Sequence, residues 1–209
     1  MFEKKRYWEN WDKNDISEQV HKFWVESEKE QKLRTLTALS IKKHIGVNKK
    51  ILEVGCGSGL IYQNLLQNGV ILPKDYVGGD VSNKMIKIAR SNYPEIKFKH
   101  LDIYKLALKD NSFENVISCQ VLQHLPDYIE PVKELLRITK NKLYIASWFN
   151  DNKDGSDKIN NNKIYNNERF IDKQINIHTF LNYINTLGDF KVEQENLMDI
   201  NTAIIITKK

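Results

Sequence analysis

Three acids, three glycines and one histidine carry the residue types and spacing that chemistry needs. In "ILEVGCGSG" (residues 51–59), Glu53 stands two residues ahead of Gly55, and Gly57 and Gly59 follow at alternate positions. Glycines so placed after a buried run permit positive φ and let a ligand touch main chain where a Cβ would stand. The dinucleotide fingerprint G-x-G-x-x-G aims a helix N-terminus at a pyrophosphate. Here the spacing is G-x-G-x-G, and Glu53 would repel a pyrophosphate while suiting a positively charged or ammonium-bearing ligand. Asp80 ends "YVGGD", where a carboxylate can accept from the 2′- and 3′-hydroxyls of a ribose; its other reading is a cap for the helix that follows. In "HLDIYKL", Asp102 can accept from the exocyclic amine of an adenine while Ile103 packs on the ring. His124, in "CQVLQHLPD", is an imidazole of the pKa class that suits a general base, or else a loop-stabilising hydrogen-bonder.

These residues need elements to hold them. Short apolar runs alternate with amphipathic stretches from Ile51 onward: ILEVG, YVGGD, IKFKHLD, FENVISC and KLYIASW predict buried strands. Between them GLIYQNLLQNG, NKMIKIARSNY and DYIEPVKELLRIT predict helices, the second capped by Ser82 or Asn83 and the third by Asp127. A further helix, IHTFLNYINTL, precedes two closing strands, DFKVEQENL and NTAIIITKK, joined by a tight turn. Strand–helix alternation implies a doubly wound parallel sheet with helices on both faces. Glu53, Asp80 and Asp102 then end three successive strands, where ligands of open α/β sheets bind. Two segments fall outside the alternation. Residues 12–45 predict one or two helices after the aromatic entry "RYWENWDKND", and residues 150–168 form an Asn-rich polar insert that reads as a mobile loop, either lid or tolerated insertion.

A nucleoside site lacking a phosphate cradle and carrying an acid for a cation fits S-adenosyl-L-methionine (SAM), with its sulfonium and α-amino groups. From about Lys50 to Ser147 the chain resembles the class I SAM-dependent methyltransferases, of the small-molecule type. "ILEVGCGSG", "VGGDVSNKMIKIAR", "LDIYKL" and "FENVISCQVLQHLPD" each resemble a motif of that family. The resemblance implies a Rossmann-like seven-stranded sheet with the last strand antiparallel. It implies Gly55, Cys56, Gly57 and Gly59 around the methionine part of SAM, Val81 and Met85 flanking the base, and Gln120 and Val121 beside the sulfonium. In similar small methyltransferases an N-terminal segment covers the cofactor, so residues 1–48 are expected to form a helical lid, with Tyr7 and Trp11 as its contacts. Phe23 and Trp24 read better as packing for the N-terminal helices, and Trp148 as a wall of the acceptor pocket or an anchor for the insert.

The 209 residues suit one domain, with 41% hydrophobic residues and a formal charge of +5 spread along the chain. Dispersed lysines without interleaved aromatics argue against a nucleic-acid groove. The abundance of Lys, Asn and Ile suggests an AT-rich, low-GC bacterial coding bias. No apolar run approaches the ~20 residues that span a bilayer, and "MFEKKRYWEN" has no signal-peptide core, so the expected location is cytoplasmic. Cys56 and Cys119 read as reduced and buried, and no metal site is expected. "SCQVLQH" lacks the Asn/Asp-Pro-Pro-aromatic motif of nucleobase amino methylation, leaving a small metabolite as acceptor. The expected reaction is methyl transfer from SAM, at oxygen, on a sugar, phosphorylated or phosphoramidate precursor of a surface polysaccharide, with S-adenosyl-L-homocysteine (SAH) as product. Nitrogen or sulfur acceptors, an NAD-type oxidoreductase and a non-catalytic SAM-binding protein are the alternatives.

Overall fold

In the computed structural model, residues 8–13, 15–159, 164–165 and 168–209 are described. The N-terminal region forms two helices, α1 (Ile16–Glu26) and α2 (Glu28–His44), where Ser27 caps the second by accepting from Glu30 N at 3.4 Å. The predicted strands are β1 (Ile51–Val54), β2 (Tyr76–Asp80), β3 (Lys97–His100), β4 (Phe113–Cys119) and β5 (Thr139–Asn150), all parallel. Between them lie α3 (Leu60–Gln67), α4 (Asn83–Asn92) and α5 (Ile129–Ile138). Of the two candidate caps for α4, Ser82 serves, accepting from Met85 N at 3.1 Å. Asp127 is not the cap of α5. Tyr128 holds that position, already helical in φ and ψ, and Asp127 accepts from Ile129 N one step outside it.

Past β5 come β6 (Lys158–Ile159), β7 (Ile164–Tyr165), β8 (Glu168–Arg169), β9 (Lys173–Asn176), α6 (Ile177–Leu187), β10 (Phe190–Met198) and β11 (Asn201–Lys208). The main order is β10-β11-β5-β4-β1-β2-β3, with β11 antiparallel to both neighbours. This is the seven-stranded Rossmann-like sheet with its antiparallel closing strand. Its departure from expectation is an extension: β9 pairs parallel to the tip of β5 (Phe149 opposite Ile175) and β6 antiparallel to β9, making nine strands. Part of the polar insert is therefore sheet rather than mobile loop. Asp157 accepts from Asn176 N, and Thr179 Oγ1 donates to Gly155 O, tying residues 155–157 to the start of α6.

The period of two along each strand divides the core. Ile51, Tyr76, Phe98, Ile117 and Ile205 pack with Ala38, Ile41, Tyr62, Leu65 and Ile86 of α2, α3 and α4 on one face. Leu52, Val54, Leu143 and Ile204 pack with Val132, Leu135, Phe180 and Ile184 of α5 and α6 on the other. A fully buried strand such as β1 reads as a continuous apolar run for this reason, and Glu53 interrupts it on the face of Ile51.

Candidate functional site

The strand order reverses between β1 and β4, so the connections after them leave in opposite directions and open a crevice at their carboxyl ends. Two adjoining cavities of about 90 and 140 Å³ fill that crevice and share Trp11, Trp24, Gly55, Gly57, Gln120 and His124.

The first cavity lies over β2 and β3. Asp80, Val81, Met85, Leu101 and Ile103 line it, as do Gln120 and Val121 from the turn after β4. Asp80 Oδ2 accepts from Gly57 N and Oδ1 from Ser82 N, both at 2.8 Å. Desolvation raises its pKa above the usual carboxylate range, against the pull of the backbone hydrogen bonds from Ser82, Gly57 and Val81. A carboxylate offers about four lone-pair sites, so capacity for a hydroxyl donor remains beyond these backbone donors. Gly55 (φ +82°) forms the floor between the cavities, where an added Cβ would lie 2.2 Å from Val121 Cγ2. Two expected members do not line the cleft. Gly59 is the N-cap of α3, and the site of its missing Cβ faces away, 2.9 Å from the Tyr93 ring. Its role there is to let Tyr93 close on the helix start. Asp102 lines neither cavity; its Oδ1 accepts from Tyr104 N, turning the strand end, and only its neighbours Leu101 and Ile103 reach the cleft.

The second cavity reaches under α1 and α2. Glu53 and Cys119 stand in its deep wall with Cys56, and both cysteines are buried free thiols whose pKa burial raises. Tyr76 donates its hydroxyl proton to Glu53 Oε2. Desolvation pushes Glu53 up to about 8; the Tyr76 hydrogen bond opposes this and the charge of Asp80 adds to it. Arg34 of α2 enters from the far side, its Nη2 donating to Trp24 O at 2.7 Å while its Nε, also buried, has no hydrogen-bond partner among the described residues. Gln120 is held in the left-handed region (φ 59°), its Oε1 accepting from Gln123, which in turn accepts from Ser147 Oγ. This chain leaves Gln120 Nε2 as a buried donor without a partner among the described residues.

His124 borders both cavities. Its Nδ1 donates to Ile171 O at 2.9 Å, which fixes the proton on that nitrogen and leaves Nε2 as the basic one. Asp172 Oδ1, from a side chain 2% exposed, lies 2.8 Å from the same Nδ1. Trp11 and Trp148 meet the imidazole edge-on at 5.6 and 5.7 Å.

A small separate cluster of Ile16, Val20, Met85 and Phe170, with Trp11 and Trp24 against it, roofs both cavities. Asp12 pins the roof to α4, accepting from Ser82 Oγ at 2.5 Å and Lys84 N at 3.2 Å, and His21 Nδ1 meets Ser58 Oγ at 2.8 Å. Trp11 thus occupies the expected lid position. Tyr7 lies outside the described residues. Trp24 packs against that cluster, as expected, and also lines both cavities, while Phe23, half exposed, sits at the mouth of the second rather than packing. The described part of the polar insert, residues 150–159, lines neither cavity.

Arg34, Gln123, Phe170 and Asp172 went unread in the sequence. For Arg34 a signal existed. It shares the buried stripe of α2 with Thr37, Ala38 and Ile41, and an arginine on an apolar stripe needs a reason. Asp172 and Phe170 reach the cleft only through the pairing of β9 with β5, which no local spacing announces.

The family model for a methyltransferase domain matches residues 52–146. The ubiquinone biosynthesis O-methyltransferase of Paracidovorax citrulli is 25% identical over 135 residues, 60% of this chain and 55% of that one. The demethylmenaquinone methyltransferase of Staphylococcus aureus is 30% identical over 132 residues, 61% of this chain and 49% of that one. The chain thus spans about half the length of these two relatives. Among solved structures, magnesium protoporphyrin IX methyltransferase from Synechocystis with bound SAM superposes with a TM-score of 0.70 at 14% identity, covering 100% of this chain and 99% of that one. At that identity the likeness speaks for the fold alone.

Proposed function

We propose that this chain, matched over residues 52–146 by the methyltransferase-domain model and similar to class I SAM-dependent methyltransferases, transfers the methyl group of SAM to a hydroxyl oxygen of a small, flat acceptor. The observation that carries the reading is the imidazole of His124, held at the seam of the two cavities with Nδ1 donating to Ile171 O.

Each half of the cleft fits one end of the donor. Asp80, with acceptor capacity left beyond its backbone donors, takes the ribose hydroxyls, and Met85, Val81, Leu101 and Ile103 sandwich the base. The bare backbone at Gly55 and Gly57, with Cys56 between them, admits the methionine part. Arg34 supplies a guanidinium for its carboxylate, and Glu53 a carboxyl for its cationic groups. When bound, SAM supplies a methyl group activated by a sulfonium. The chain's own task is then alignment, exclusion of water and removal of the acceptor's proton. Trp11, Trp24 and Phe170 close the cleft from above. His124 Nε2 takes the hydroxyl proton, and the carboxylate of Asp172 beside Nδ1 favours the imidazolium that results.

Trp11, Trp148 and Phe170 around His124 suit an aromatic or otherwise planar acceptor. A relative named for an O-methyltransferase step in ubiquinone biosynthesis agrees with that class. A phosphorylated or phosphoramidate polysaccharide precursor draws little support from the cavity. Arg34 is its one full-time cation among the described residues and is assigned to the donor, and the side chain of Arg169 lies outside the described residues.

The test offers SAM with a panel of phenols, sugar hydroxyls, phosphate monoesters, amines and thiols and follows SAH formation. Turnover is expected with phenols. His124→Asn should lower kcat by roughly 100-fold or more while SAH affinity moves less than about twofold. Unchanged turnover in His124→Asn would remove the general base, and turnover confined to amines or thiols would remove the oxygen assignment.

A further inference from the structure

Glu53 is buried more deeply than the reaction requires. The alternation of β1 turns it to the side of Ile51, where its carboxyl is fully buried between Tyr76 and Cys119 in the wall of the second cavity. One oxygen, Oε2, accepts from Tyr76; the other, Oε1, has no hydrogen-bond partner among the described residues. Among the described residues nothing beside it is cationic. β2 offers Tyr76 and the like charge of Asp80, the glycine turn Cys56, and β4 Cys119. Of the other titratable groups in the cavity, Arg34 is bound to Trp24 O and His124 to Ile171 O, each with an acid nearby in Glu30 and Asp172. An ionised carboxylate without a counter-ion is costly in such a place, so the neutral form is favoured. The cavity that Glu53 lines is the open approach to that oxygen.

The methionine end of SAM carries two positive charges, on the α-amino nitrogen and on sulfur, and SAH keeps only the first. We propose that Glu53 is a proton-exchanging counter-ion that tells donor from product: protonated in the ligand-free protein, it ionises when SAM binds, so donor binding releases a proton that product binding releases less completely. The step balances as Glu53–COOH plus SAM giving Glu53–COO⁻ in the complex and one proton to solvent. After methyl transfer the sulfonium charge is gone, the carboxylate recaptures a proton, and SAH loses its hold. This inference rests on SAM being the donor.

The sign follows from linkage. A ligand that prefers the ionised form binds more tightly as pH rises, by up to about tenfold per unit, until the free group has itself ionised. With Glu53 pushed up to about 8 in the free protein, SAM affinity should climb between pH 6 and 8 and level off above. SAH affinity should climb less, so selectivity for donor over product widens across the same range.

Calorimetric titration with SAM and with SAH, each in two buffers of different ionisation enthalpy between pH 6 and 9, counts the protons directly. The wild type should release most of a proton per SAM at pH 7 and measurably less per SAH. Glu53→Gln should abolish the release and flatten the profile. Tyr76→Phe, which removes the one hydrogen bond favouring the ionised form, should move the climb to higher pH, and it serves where Glu53→Gln does not fold. Binding of SAM without proton release, equal release for SAM and SAH, release that persists in Glu53→Gln, or a Tyr76→Phe profile identical to the wild type would each overturn the proposal and leave the donor assignment standing. Absence of SAM binding at every pH would overturn both.

Discussion

Beneath Trp11 and Trp24, which both share, the first cavity takes its walls from the ends of β1, β2, β3 and β4 and the turns that follow them, while the second also borrows from α2 and the residues leading into β9. The β2 side of the first is built by neighbours in sequence. Asp80, Val81, Ser82 and Met85 fall within six consecutive positions, and one strand-to-helix turn sets them all. The second needs Arg34, Glu53, His124 and Asp172 brought from four separate stretches of chain. The local half can be fixed by a single turn, so it suits the invariant part of a ligand. The assembled half draws on segments free to differ in sequence, which is where an acceptor's identity can be written.

The contrast can be broken experimentally, and the largest effect is expected from pH. Asp80 in the local half is held by several backbone donors, whereas Glu53 in the assembled half is a buried carboxyl with the Tyr76 hydroxyl alone as its donor among the described residues. Glu53 has its pKa raised by folding, so its contribution to stability is full below about pH 4.5 and is lost as pH rises toward about 8. Relative to Glu53→Gln, the ligand-free wild type should lose on the order of 4 kcal/mol across that window, read from denaturant midpoints at pH 5, 6.5 and 8. Equal pH profiles for the two proteins would mean that Glu53 finds a partner in solution.

A second, smaller effect tests the shared floor. Gly55→Ala places a Cβ 2.2 Å from Val121 in a backbone of φ +82°, against both cavities. Strain and overlap together should cost about 2–3 kcal/mol, and affinity for SAH and for adenosine should fall in parallel, by roughly 100-fold. Weakening of SAH alone would show the halves to be separable even at their seam. The smallest effect separates them by design. Arg34→Met should weaken SAH by roughly 10- to 30-fold through loss of a charge-assisted contact and leave adenosine unchanged, as measured by calorimetry. A matching loss for adenosine would mean that Arg34 supports the fold of the roof.

The same contrast governs what could be read from sequence. The strands β1 to β5, the helices α3 to α6 and the closing pair β10 and β11 were legible because each buries a face whose periodicity is local, and Ser82 announced its own cap; β6 to β9, two to four residues long, carry no such period. Gly59 was grouped with the cradle because alternate glycines look alike, whereas it is the N-cap from which α3 starts, and the site of its missing Cβ faces Tyr93. Asp102 was misread because a carboxylate at a strand end turns the chain as readily as it binds a ligand. Asp172 left no trace in the sequence, since its place depends on a two-residue pairing between β5 and β9, itself set by the length of β5. Trp24 was assigned to packing because a tryptophan on a helix has an apolar duty either way; only the crossing of α1 over the glycine turn decides it, and Gly57 lies 3.6 Å from that ring when given a Cβ.

The position of β11 bears on how a ribosome must deliver this chain. β11 is made after β10 yet lies between β10 and β5, pairing with β5 from Asn201 opposite Trp148 to Thr207 opposite Lys142. Until those residues emerge, β10 has no seat in the sheet and the flank of β5 presents a row of unpaired amides and carbonyls. Leu143, Tyr144, Ile145 and Ala146, all fully buried once folding is complete, lie on that open flank. Vectorial synthesis therefore holds a nascent sheet edge open through its most apolar stretch, an invitation to off-pathway pairing that lasts as long as translation of some sixty residues. At about 5–20 residues per second that is a window of several seconds, within which a chaperone has reason to act.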